Sequence, residues 1–92
     1  MQAGIYIVMT RDVVQRNIPY AVVAEVMGGA RWNTGKRKRL MKEQFTEDEM
    51  DAANRLYATA MRWLYHGVPG EVKMTGRTLA LWHKLAAFCR QL

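Results

Sequence analysis

Apolar residues recur at three- and four-residue spacing from Met50 through Ala53, Leu56, Tyr57, Ala60 and Met61 to Leu64, while Asp51, Asn54, Arg55, Thr59 and Arg62 fall on other faces. That period belongs to an amphipathic helix. Thr46 and Glu49 stand at capping-box spacing, with Glu47 and Asp48 between them to complement the positive helix start. Arg62 and His66 suit the negative end, and Gly67 with Pro69 supplies the stop. The pattern predicts a helix over 47–66. A second stripe, Leu79, Trp82, Leu85, Ala86, Cys89 and Leu92, widened by Leu81 and Phe88, predicts another over 76–92, beginning near Thr75 or Thr78. The connection between them is short, so the two are expected to pack as an antiparallel pair with Trp63 and Trp82 in or beside the seam.

The N-terminal third is less regular. Residues 5–9 form a continuous apolar run that periodicity does not divide between a buried strand and the first turns of a helix, and we favour helix. Thr10 can cap a short helix reaching Arg16. Asn17 and Pro19 then punctuate the chain, and residues 20–27 read as a further helix ended by Gly28 and Gly29. The expected fold is a mainly α, single-domain helical bundle over 1–92, with room for one short strand or a basic hairpin.

Composition limits the class of protein. No apolar run reaches the ~18 residues of a membrane span, and the first ten residues lack the basic start and cleavage site of a signal peptide. We expect a soluble, cytoplasmic chain with no membrane partner. The one cysteine, Cys89, lies in an apolar helical pattern, which predicts a buried, unreactive thiol in a reducing compartment.

Catalytic equipment is sparse. The chain contains no serine. Cys89 and His83 are six residues apart, which puts them ~240° apart around a helix. His66 and His83 show no metal-ligand spacing with each other or with a cysteine pair. Glu47 and Asp51 share a helix face but read as helix-start acids, and Gly28-Gly29 fits no phosphate-loop pattern. The expectation is a non-enzymatic binding protein without metal or cofactor.

Charge gives that expectation a location. Of fourteen basic residues, six (Arg31, Lys36, Arg37, Lys38, Arg39 and Lys42) fall within 31–42 with no acid among them, and the remaining eight match the eight acids, leaving the formal +6 in this one segment. Five acids (Glu43, Glu47, Asp48, Glu49 and Asp51) follow at once. Trp32 lies beside the first cation. The candidate binding residues are therefore Arg31, Trp32, Lys36, Arg37, Lys38, Arg39 and Lys42. Two conformations fit the segment. In one, Thr34 opens a helix to Gln44 whose first turns are crowded with cations, an arrangement relieved by bound phosphate. In the other, Asn33-Thr34-Gly35 is a hairpin turn and 36–41 a basic strand lying along a nucleic-acid backbone.

Ala24 and Gly28 stand at the Ala-x-x-x-Gly spacing of the helix-turn-helix motif, with Val23 and Met27 as apolar neighbours. Residues 20–39 thus resemble part of a helix-turn-helix DNA-binding domain. The second helix carries Thr34 and Arg37 where that motif places apolar residues. The resemblance implies that the basic element is a recognition helix.

Three functions compete for the segment. The first, which we favour, is contact with DNA or RNA phosphates, the cations neutralising charge and the indole stacking or wedging. In the second, the segment binds an acidic surface of a nucleic-acid-processing protein or clamps that protein's nucleic acid. A phage or mobile-element inhibitor or adaptor of this kind resembles the anti-CRISPR proteins in function. In the third, 36–42 is a solvated face neutralised by the acids of 43–51, although surface pairs contribute only about 0–1 kcal/mol each.

Overall fold

Two threonines close strands and cap the helices that follow. In the computed structural model, which describes residues 6–28 and 35–92, Thr10 ends strand β1 (Tyr6–Thr10), and its hydroxyl accepts from the Val13 amide at the start of helix α1 (Arg11–Asn17). Helices α2 (Tyr20–Met27), α3 (Gly35–Gln44) and α4 (Glu47–His66) follow. Thr75 then ends strand β2 (Glu71–Thr75) and accepts from Thr78 N at 3.1 Å to open helix α5 (Gly76–Cys89).

β1 and β2 pair antiparallel, in a register running from Tyr6 opposite Thr75 to Thr10 opposite Glu71. Arg11 locks the end of this ribbon: its amide donates to Gly70 O at 3.0 Å and its Nε to Val68 O at 2.8 Å. Met9 and Met74 face the core, whereas Tyr6, Ile7 and Val8 remain exposed. The helix expected over 5–9 is thus replaced from Tyr6 onward by a strand. Tyr, Ile and Val favour the pleated backbone, and β2 supplies the hydrogen-bonding partner. β2 itself lies in the segment read as a bare connection, although Glu71-Val72-Lys73-Met74 alternates polar and apolar as a half-buried strand does.

The capping box is complete. Thr46 Oγ1 accepts from Glu49 N at 3.1 Å, and Glu49 Oε1 accepts from Thr46 N at 2.9 Å. α4 ends at Gly67, whose φ of 87° is a conformation that L side chains rarely adopt, with its amide donating to Trp63 O at 2.8 Å. The buried stripe of α4 is Ala53, Leu56, Ala60 and Trp63. Leu64, expected on this stripe, lies ~100° round the helix from Trp63 and is exposed.

α2 packs against both α4 and α5. Trp63 and Trp82 stack at 5.6 Å with planes 15° apart, and Tyr20 meets Trp63 edge-on at 5.8 Å. Lys84, two residues beyond Trp82, pairs with Glu49 at 2.9 Å. These contacts engage α4 at positions ~21 Å apart along its axis. α5 therefore touches α4 near both ends of the longer helix. Its helix ends at Cys89 rather than at 92, and Gln91 and Leu92 close a final turn through Phe88 O and Cys89 O.

Candidate nucleic-acid interface

Of the two conformations open to the basic segment, 35–44 adopts the helical one and 36–41 is not a strand. Arg31 and Trp32, together with the turn expected at Asn33-Thr34, lie outside the described residues. Met41 is the one buried residue of α3, and Arg37, Leu40 and Gln44 are half-buried around it. Lys36, Lys38, Arg39 and Lys42 are exposed. The helix thus has an anchoring side and a cationic side.

Its C-terminal end is held firmly. Phe45, buried immediately after α3, meets Phe88 edge-on at 5.3 Å. Gln44 and Gln91 exchange amide hydrogen bonds at 2.8 and 3.1 Å. The Lys84 ammonium lies 4.6 Å above the Phe45 ring while pairing with Glu49, so one side chain braces the linker, α4 and α5 together. Nearer the N-terminal end, Arg37 Nη1 donates to Met41 Sδ at 3.4 Å, and partial burial lowers the guanidinium below its ordinary pKa. Arg37 therefore belongs partly to the packing of the helix.

Beside α3 is a hollow of about 390 Å³ lined by Arg37, Lys38, Arg39, Lys42 and Met50 of α4, with a mostly carbon wall. Met50, read from sequence as a core-stripe residue, is half-buried at this wall. Among the described residues no acid lines the hollow. Among the described residues the ion pairs are Arg16–Asp12 and Lys84–Glu49, so Lys36, Lys38, Arg39 and Lys42 have no ion-pair partner. Of the five acids that follow in sequence, Glu47, Asp48 and Glu49 occupy the first turn of α4 and Asp51 its second, while Glu43 belongs to α3 itself. Hydrogen bonding from the Thr46 amide, and then from Lys84, holds the Glu49 carboxyl below its ordinary pKa.

The motif residues Ala24 and Gly28 flank the last turn of α2. Gly28 has an ordinary helical φ of −78°, and its glycine identity follows from space: a Cβ there would lie 2.9 Å from Ala24 O and 3.3 Å from Met61 Sδ. Cys89 is buried, and desolvation pushes its thiol up to about 11 against the opposing charge of Arg90. His66 and His83 are exposed. Among the described residues no group of three or more His, Cys, Asp or Glu is placed to hold a metal ion, and no helix is long and apolar enough to cross a membrane.

Sequence patterning located the cations of α3 but missed what fixes them. Gln44–Gln91 and Lys84–Phe45 span 47 and 39 positions, respectively, and no local pattern signals either. Comparisons with protein-family models, with curated proteins and with solved structures return no match.

Proposed function

We propose that this chain is a non-enzymatic nucleic-acid-binding protein that contacts DNA or RNA phosphates through the exposed face of α3. The observation that carries this reading is the concentration of Lys36, Lys38, Arg39 and Lys42 on one ten-residue helix, all solvent-exposed and none with an ion-pair partner among the described residues. Cations placed early in a helix oppose its dipole and repel one another. A phosphate backbone reverses both effects and releases counterions as it binds. Arg31 and Trp32, just upstream in sequence, are assigned to the same binding segment in this reading on their residue types alone. The helix-turn-helix resemblance over 20–39, if it holds for this chain, implies α3 as the second helix of the pair.

A second reading, an inhibitor or adaptor that binds a nucleic-acid-processing protein, draws on β1. Tyr6, Ile7 and Val8 are 59 %, 39 % and 55 % exposed on a strand without a charged residue. Such a surface suits a protein partner better than a polyanion.

One experiment separates the two. The tagged protein is used to capture partners from a lysate with and without nuclease treatment, and its binding to labelled DNA and RNA is measured by fluorescence anisotropy at low salt. Nucleic-acid binding by the pure protein, with captured proteins lost on nuclease treatment, supports the first reading. Absence of binding at low salt, with one stoichiometric protein retained after nuclease, supports the second and contradicts the first.

A further inference from the structure

The hollow beside α3 serves no purpose in a purely electrostatic contact. A duplex presents its phosphates on convex ridges with its bases stacked inside, so a flat cationic helix face is sufficient to hold it. Here four basic residues, Arg37, Lys38, Arg39 and Lys42, line a concavity of about 390 Å³ together with Met50, and its wall is mostly carbon. That volume falls in the range of small-ligand sites, ~300–1,000 Å³. An apolar wall within a cationic rim is complementary to a flat apolar body with anionic groups on either side. An unstacked nucleobase between its two phosphates has that form.

We infer that the hollow receives an unstacked base and that the preferred ligand is single-stranded nucleic acid. This rests on the phosphate-binding reading above and goes further by naming the form of the strand. Lys38 and Lys42 are one helical turn apart, ~6 Å along the axis, and reach the phosphates on either side of the base. The polarisable Met50 thioether lies against the base, and the Arg39 guanidinium stacks on it. Stacking of this kind accepts any base, because every base has a π-face.

The test compares three probes at one low salt concentration: an oligothymidylate of about 12 nucleotides, an abasic strand of the same length, and a duplex of the same length. The wild-type protein is expected to bind the oligothymidylate at least about fivefold more tightly than either other probe. In Met50→Ala, with its fold checked by circular dichroism, that preference is expected to fall below about twofold while abasic-strand affinity stays the same. The abasic comparison needs no variant, so it decides the matter even if Met50→Ala fails to fold. A wild-type preference smaller than about fivefold, or tighter binding to the duplex as a groove-entering helix requires, overturns the inference while leaving phosphate binding intact. Failure of all three probes to bind overturns the phosphate reading itself.

Discussion

Gln44, the last residue of α3, and Gln91, in the turn that ends the chain's final helix, meet amide to amide: each Nε2 donates to the other's Oε1, at 2.8 and 3.1 Å. The pair sets the end of the cationic helix against α5, next to the buried Phe45–Phe88 contact. Either single truncation removes both bonds. Gln44→Ala and Gln91→Ala are each expected to cost about 1 kcal/mol or less, because the amides are near solvent. The double variant should cost little more than either single one, as measured by urea unfolding in a double-mutant cycle. Additive losses would show that the two side chains act independently.

The exposed cations of α3 should weaken the fold they decorate. Lys36 and Lys38 sit in the first turn of a helix that has no acid there. Replacing each by Gln is expected to raise stability by about 0.3–1 kcal/mol at low salt and to weaken nucleic-acid binding. Thermal unfolding and anisotropy titration on the same samples test both halves. A variant less stable than wild type that binds as tightly would contradict the placement of these residues at a phosphate surface.

Arg37 should behave differently from its neighbours. Half-buried and bonded to Met41 Sδ, it is expected to lose stability as well as binding when changed to Ala, because its stem packs against the body. Urea unfolding of Arg37→Ala beside Arg39→Ala gives the comparison. Equal stability of the two would remove Arg37 from the anchoring side.

Acid should loosen the start of α4. The Glu49 carboxyl is held below its ordinary value of 4.5, first by the Thr46 amide and then by Lys84, so the ionised form favours the folded state. This contribution is complete above the unfolded-state pKa and is lost as pH falls through the lower folded-state value. Urea midpoints measured stepwise from neutral pH to below 4.5 should decline in that window for wild type and flatten there in Glu49→Gln. An unchanged pH profile in the variant would contradict the assignment.

Cys89 should stay silent toward thiol reagents. Burial pushes its thiol up to about 11, so near neutral pH it is both covered and protonated. Modification by a disulfide reagent is expected only as the protein unfolds in urea. Rapid labelling of the native protein would contradict the packing of α5.

What could be read directly from the residues was whatever depends on near neighbours. Thr46 and Glu49 are three positions apart, and the complete capping box puts the start of α4 where their spacing predicts. Trp63 and Trp82 each lie on an apolar stripe, and their stacking follows from joining those stripes. The β1–β2 ribbon was hidden because each strand has five residues and its partner lies at the far end of the sequence. Five residues are too few for alternation to outweigh helix-compatible neighbours. The wall of the hollow was hidden for a similar reason: Met50 fits the α4 stripe, and its approach to Lys38 and Lys42 depends on how Phe45 turns the chain between α3 and α4.

The most direct test of the account is the salt dependence of nucleic-acid binding by wild type and by a variant with Lys36, Lys38, Arg39 and Lys42 all changed to Gln. If α3 carries the phosphate contacts, wild-type affinity falls steeply as salt rises. The slope of log K against log salt becomes shallower by roughly 0.7–0.9 for each phosphate contact removed, about 3 for the four together. The same slope in both proteins, or no binding by wild type at low salt, would contradict it.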